Sequence, residues 1–301
     1  MKYIFCLIVS MAYFTSLSQE SNSLEDALKN PDQITSLKVN CPDDEKLIRI
    51  VQLKNLKQLY LKDCSLKHLP SRLGELTKLT LLNVENNNLE SLPDDLQTLN
   101  NLAVLNLRGN NFNQLPQVLG KLPALRELDL ASNPILDLDN AMDVLLSIEN
   151  LDFLYLSQNR LESLPARFAD MKALQELHLT GNPSLDLNKA FDVLSKMATL
   201  KILVLEDNEM STIPVGLQQM KQLDGLVLDK NSTLKIEDLA SRLENLPELK
   251  VLLLRNNGIE KLPENLNGFQ RLAVLELSGN RFSDEEKQRI KENLKDTVVK
   301  F

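Results

Sequence analysis

Catalysis needs a nucleophile, an acid or base, or a set of metal ligands held together, and this 301-residue chain is poor in all three. It carries two histidines, His68 and His178, and three cysteines, Cys6, Cys41 and Cys64. There is no G-x-S-x-G elbow, glycine-rich phosphate loop, H-E-x-x-H pair or paired C-x-x-C. His68 reads as a solvated residue of an outer turn. His178 is the better candidate, because Glu176 precedes it by two residues and Tyr155 by 23. A metal or catalytic role needs two further ligands or a nucleophile at close range, and Asp129 falls two repeats away, roughly 10 Å at strand spacing. His178 is therefore read as a polar contact residue. The expectation is no catalytic residue, no metal and no cofactor, hence not an enzyme.

What must position these side chains is a repeat. The pattern L-x-x-L-x-L-x-x-N occurs at Leu125, Leu128, Leu130, Asn133 and again at Leu151, Leu154, Leu156, Asn159. The first copy is 26 residues long and the second 23, so the larger unit is 49, and it recurs from Leu174 to Gln222 and from Leu223 to Arg271. Coils begin at Leu56, Leu79, Leu102, Leu125, Leu151, Leu174, Leu200, Leu223, Leu249 and Leu272. Positions one, four and six are apolar and those between mostly polar, the alternation of a half-buried strand, so stacked coils predict a parallel sheet. Position nine is Cys64, then Asn87, Asn110, Asn133, Asn159, Asn182, Asn208, Asn231, Asn257 and Asn280. An inward-turned Asn bonds backbone groups that the turn after the strand would otherwise bury unpaired, which predicts a structural ladder. Asn231-Ser232-Thr233 also reads as a glycosylation sequon, but on a ladder position it is a chance match.

The return segments are of two kinds. In the 23-residue coils, pairs such as Leu92-Pro93, Leu115-Pro116, Leu164-Pro165 and Ile213-Pro214 predict extended chain where no ladder bond is needed. In the 26-residue coils the apolar spacing Ala141, Val144, Leu145, Ile148, repeated at Ala190, Val193, Leu194, Met197, is one face of a helix. Ser23-Leu-Glu-Asp26 and Ser283-Asp-Glu-Glu286 are capping boxes that open a helix at either end. The expected organisation is a signal peptide over 1–18, an N-terminal cap and degenerate first repeat over 19–55, ten repeats over 56–282, and a C-terminal cap helix and short strand over 283–301, with the chain complete.

The formal net charge is −8 and the two signs are interleaved, so nothing resembles the basic stripe that nucleic acid requires. Lys2 precedes an uncharged run, Tyr3 to Ser18, too short for a comfortable membrane span and ending in Ser16-Leu17-Ser18. That reads as a secretory signal in preference to an anchor. The mature chain is then expected to be secreted or periplasmic, with no transmembrane anchor. Cys41 and Cys64 survive signal removal and stand 23 residues apart, one repeat length, which permits a disulfide. The apolar register puts Cys41 one place out of step, so the bridge stays open.

The whole pattern, L-x-x-L-x-L-x-x-N-x-L-x-x-L-P-x-x-L-x-x-L-x-x over Leu79 to Asn101, resembles the leucine-rich repeat superfamily, and more narrowly its Ras-group type and many secreted bacterial members. The resemblance covers roughly residues 34 to 282. It implies an α/β fold, a leucine-rich repeat solenoid or horseshoe with a concave parallel sheet and a convex face alternating helical and extended segments. It also implies protein–protein recognition on the concave strands. The signal-like segment and the 26-residue coils depart from the intracellular Ras-group scaffolds and favour a secreted module. An intracellular scaffold and a glycan-binding surface protein are the alternatives, the second because of Tyr60, Phe153 and Tyr155.

Strand positions three and five point away from the core. From Leu151 onward they present Phe153, Tyr155, His178, Ile202, Val204, Val227, Val251 and Leu253, where earlier coils present Gln58, Asn83, Asn106, Glu127 and Asp129 beside Tyr60, Leu81 and Val104. An apolar band rimmed by Glu206, Asp207 and Lys230 predicts a protein-binding patch, and the bland alternative is that the valines merely cover the sheet.

Overall fold

A computed structural model describes residues 20–39, 44–134 and 136–301. The signal-like segment and Cys41 lie outside the described residues, and with Cys41 the disulfide. The chain forms two compact units.

The first unit runs to Asp129 and includes residues 147–150. Its strands are β1 (Glu20–Ser21), β2 (Ser36–Lys38), β3 (Gln58–Tyr60), β4 (Leu81–Asn83), β5 (Val104–Asn106) and β6 (Glu127–Asp129). Each pairs in parallel with the next, with equivalent repeat positions in register from β3 onward: Gln58 opposite Leu81, Leu81 opposite Val104, Val104 opposite Glu127. Helix α1 (Leu24–Ala27) opens on Ser23, whose hydroxyl accepts from the Asp26 N–H. Two elements here lack a repeat signature. One is the two-residue β1, and the other is helix α2 (Asp44–Arg49), which buries Leu47 at the start of the array.

The second unit holds Leu130–Leu146 and Leu151–Phe301. Strands β7 (Phe153–Tyr155), β8 (Glu176–His178), β9 (Ile202–Val204), β10 (Gly225–Val227), β11 (Val251–Leu253), β12 (Val274–Glu276) and β13 (Val298–Lys300) again pair in parallel without slippage. The 26-residue coils carry α3 (Leu138–Ser147), α4 (Leu187–Leu194) and α5 (Leu239–Leu243). Helix α6 (Asp284–Asn293) starts on Ser283, whose hydroxyl accepts from the Glu286 N–H. Among the described residues no helix is long and apolar enough to cross a membrane.

Three-residue strands cannot stand alone, and position four is what they bury. Leu59, Leu82, Leu105 and Leu128 in the first unit, and Leu154, Leu177, Leu203, Leu226, Leu252 and Leu275 in the second, are all 0 % exposed. Each such leucine contributes about 1.5–3 kcal/mol. The turn after the strand is equally regular. Position eight sits in the left-handed region in all ten coils, from Asp63 (φ 57°) through Asp207 (φ 57°) and Lys230 (φ 55°) to Gly279 (φ 74°). Asp, Asn and Gly, the types that tolerate this conformation best, fill seven of the ten positions.

The 23-residue coils add a detail to the extended returns. Proline itself is extended (ψ 142° at Pro93 and Pro214), and one turn of 3-10 helix follows it. The residue three places on donates its N–H to the proline carbonyl: Leu96 to Pro93 at 3.2 Å, Leu119 to Pro116 at 3.1 Å, Phe168 to Pro165 at 2.9 Å and Leu217 to Pro214 at 3.2 Å. Proline lacks an N–H but keeps its carbonyl, so it suits the start of such a turn, and the turn folds the next apolar residue into the core.

Candidate functional site

The inward asparagines come first, because they hold the strand ends on which the patch stands. Asn182 is 0 % exposed. Its Oδ1 accepts from the N–H groups of Asn159 (3.0 Å) and Leu161 (3.1 Å), and its Nδ2 donates to the carbonyls of Leu156 (3.1 Å) and Leu179 (2.9 Å). Asn87, Asn231 and Asn280 repeat this arrangement, each reaching back onto a 23-residue coil. Asn110 accepts from the Leu89 N–H and donates to Val84 and Leu107, and Asn133 donates to Leu130. Asn159, Asn208 and Asn257 reach back onto 26-residue coils, and each Oδ1 accepts from a single N–H, that of Asn133, Asn182 and Asn231 respectively. The cause is local. In the longer coils the chain turns immediately after the ladder residue, with the Leu136, Leu185 and Leu234 N–H groups donating to the carbonyls of Asn133, Asn182 and Asn231. The Nδ2 of Asn257 is buried with no partner at all. Cys64 takes the same place in its coil, its thiol donating to the Lys62 carbonyl at 2.9 Å. The sequon residue Asn231 is 0 % exposed, with its Nδ2 bound to three carbonyls, so it is closed to a glycan.

On the open face of the second unit, register places Phe153, Glu176 and Ile202 in one row and Tyr155, His178 and Val204 in the next. Phe153, Tyr155, His178, Ile202 and Leu253 are half-buried. Val204, Val227 and Val251 are only 5 %, 3 % and 5 % exposed. This corrects the expected band, for these valines lie among their neighbours on the sheet and present almost nothing to a partner. The band contracts to the aromatic end. There the rings of Tyr155 and His178 stack with centroids 4.4 Å apart and planes tilted by 34°. His178 Nε2 lies 2.6 Å from Glu176 Oε1, and Glu176 is itself 3 % exposed. A buried carboxylate on one side and an aromatic ring on the other fix the imidazole in place.

The rim is charged and mostly paired. Lys230 and Glu206 meet at 2.8 Å, a contact that raises the Lys230 ammonium above its ordinary pKa, while Asp207 stands exposed. The strongest ionic contact on this face involves two residues with no earlier signal. Asp229, 1 % exposed, accepts from the Arg255 backbone N–H and from its Nε–H, both at 2.6 Å. Burial pushes the Asp229 carboxyl up, and the Arg255 hydrogen bonds offset part of that, while the same contact raises the guanidinium further. Both residues occupy position seven of adjoining coils, so reading the repeat by column, 26 residues apart, would have found them. Among the described residues no group of three His, Cys, Asp or Glu side chains is placed to hold a metal ion.

Two family models match the chain, one for a leucine rich repeat over residues 77–135 and one for two copies of the repeat over residues 149–194. No curated protein matches it. Among solved structures it is similar to a leucine-rich repeat protein of Leptospira interrogans, with 23 % identity over 95 % of this chain and 100 % of that one, at a TM-score of 0.42. It is also similar to an internalin of Listeria monocytogenes, with 24 % identity over 83 % of this chain and 75 % of that one, at a TM-score of 0.53. With its repeated strand, its inward asparagines and these matching models, the chain belongs to the leucine-rich repeat superfamily.

Proposed function

We propose that this chain is a non-enzymatic recognition protein, exported to the periplasm or the cell exterior, that binds another protein on the open sheet face of its second unit. The observation that carries this reading is the half-buried pair Phe153 and Tyr155, with His178 stacked on Tyr155 and tied to the buried Glu176. Rigid aromatic surface beside a charged rim is the composition from which interface anchors are made. Stacked repeats offer their strand faces as extended binding surfaces, which supports the same assignment. Export rests on the uncharged run Tyr3 to Ser18. The domain organisation read from the repeats, a cap, ten coils and a second cap, belongs to the same proposal.

The test is a pull-down with the full chain from the envelope and medium of its source organism, followed by affinity measurement on the captured protein. Tyr155→Ala and Phe153→Ala should each weaken binding by about 1 kcal/mol or more, roughly the hot-spot threshold, with folding intact. Arg167→Ala, an exposed residue paired with Asp143 on a return segment, should change it by less than about 0.5 kcal/mol. If the aromatic variants bind like the parent and the Arg167 variant does not, the face is wrongly chosen. An N-terminus at Gln19 in the native protein, read by mass spectrometry, tests export.

A further inference from the structure

One asparagine of the inward ladder stands where its own chain can attack it, whatever partner the sheet face takes. Asn257 is 2 % exposed and is followed by Gly258. Every other ladder asparagine donates through its Nδ2 to at least one carbonyl, while the Nδ2 of Asn257 is buried without a partner. Its side-chain amide is held only at Oδ1, by the Asn231 N–H at 2.6 Å. The neighbouring backbone nitrogen is idle as well. The N–H groups of Asn257 and Ile259 both donate to the Asn280 Oδ1, at 3.0 and 3.1 Å, and the Gly258 N–H between them has no acceptor among the described residues. At the same repeat position Asn88, Asn111 and Arg281 donate theirs to a carbonyl of the preceding coil, at 2.8, 2.9 and 2.8 Å. Gly258 is half-buried, so water reaches this peptide although the asparagine side chain is enclosed.

We propose that Asn257-Gly258 is a site of spontaneous deamidation. The Gly258 nitrogen bonds to Asn257 Cγ, the Cγ–Nδ2 bond breaks, and the leaving nitrogen takes the proton that Gly258 gives up and departs as ammonia. Water then opens the succinimide ring at either carbonyl, leaving aspartate or isoaspartate, with no oxidant or reductant involved. Asparagine is a thermolabile residue, and glycine has no side chain to shield the attacking nitrogen. The free Nδ2 has no hydrogen bond to break on leaving, and attack between adjoining groups of one chain needs no encounter. The other Asn-Gly pair, Asn267-Gly268, opens a 3-10 turn, where the side chain tilts back along the helix and away from the next nitrogen. The aspartate product keeps an oxygen for the Asn231 N–H. Isoaspartate takes the backbone through Cβ instead, which lengthens the turn after β11 and loosens the contact between its coil and the one before.

The experiment is peptide mapping by mass spectrometry of the folded full chain, held in warm, mildly alkaline buffer and sampled over time. Asn257 should convert faster than every other ladder asparagine, with isoaspartate among the products, detected by enzymatic methylation of its free α-carboxylate. Gly258→Glu should slow the conversion about tenfold by hindering the nitrogen. That variant fits the turn, because Glu209 holds the same repeat position with φ 53° against 73° at Gly258, and an unchanged melting curve checks the fold. Conversion at Asn257 no faster than at Asn208 in the parent overturns the proposal, and so does a rate that ignores Gly258→Glu. Conversion that appears only once the chain is denatured overturns it too, since the dipeptide and not its place in the ladder would then be responsible.

Discussion

The two units share one repeat and end on different faces. In the first, position five of β4 and β5 is Asn83 and Asn106, 5 % and 4 % exposed, each folding its Oδ1 back onto the N–H two residues ahead, Glu85 at 3.0 Å and Arg108 at 2.9 Å. In the second, the same position in β7 and β8 is Tyr155 and His178, which stand up from the sheet against each other. The polar residues of the first unit turn to their own backbone, while the aromatic ones of the second leave surface for a partner. Positions one, four and six carry the core in both, so the outward positions are free to differ without cost to the fold. On the proposed reading, recognition rests on which side chains occupy two of every 23 or 26 places.

The position-seven column allows the largest test of this contrast. Its second-unit pair buries the Asp229 side chain to 2 % exposed beneath Arg255, whereas its first-unit pair, Lys62 with Glu85 at 2.8 Å, leaves the Glu85 side chain 17 % exposed. Arg255→Ala should destabilise the protein by about 2 kcal/mol, less than the cost of breaking a fully buried pair because the guanidinium is itself part exposed. Lys62→Ala should cost less than about 1 kcal/mol, as surface pairs do. Denaturant midpoints measure both, and equal losses would break the comparison.

The ladder sharpens it within one unit. Asn182→Ala should cost about 1 to 3 kcal/mol, since it strands buried N–H and carbonyl groups on two coils. Asn257→Ala should cost less than half of that, because its Oδ1 serves one N–H and its Nδ2 none. A loss at Asn182 below about 0.5 kcal/mol, the level of ordinary surface changes, would sink the structural reading of the whole column.

The smallest effect separates the two caps by pH. At the C-terminal cap, Arg289 hydrogen-bonds Glu286 through Nε and one terminal nitrogen, both at 2.7 Å, and the Leu262 N–H adds a third bond at 2.9 Å. The Arg289 contact, opposed by partial burial, holds this carboxyl below its ordinary value. Because the folded value is the depressed one, the stability it contributes is present above the ordinary carboxylate range and is lost as pH falls through the folded pKa. Glu286→Gln should therefore lower the melting temperature at neutral pH by a few degrees at most and match the parent in strong acid. A loss that persists below both pKa values would assign the residue's contribution to packing. At the N-terminal cap the exposed Glu25 of α1, paired with Lys46 at 3.6 Å, should show almost no such dependence.

Much of the fold was legible because it depends on periodicity alone. Leucines at one, four and six, asparagine at nine and the 23 or 26 spacing specify strand, turn and stacking, and Ser23 and Ser283 mark helix starts through a local hydrogen bond that three residues suffice to encode. Two elements outside the period were not legible. β1 exists because an edge of β2 was there to pair with, and α2 has no repeat neighbour to betray it. The turn after each proline was hidden too, since an extended Leu-Pro pair and the 3-10 turn that follows it differ only in where one N–H points.

The site divides along the same line. The amino-acid sequence by itself determined that Phe153, Tyr155, His178 and Ile202 share one face, because alternation in a strand and a constant repeat length leave no other placement. Only the tertiary structure decided how much of each side chain is left to a partner, since exposure depends on the bulk of neighbours on adjoining strands. That is why Val204, Val227 and Val251 sink into the sheet while the rings of Phe153, Tyr155 and His178 stay half-buried. It also decided which charges pair, for a buried carboxylate such as Asp229 or Glu176 takes the donor that packing brings within reach, whatever its distance along the chain.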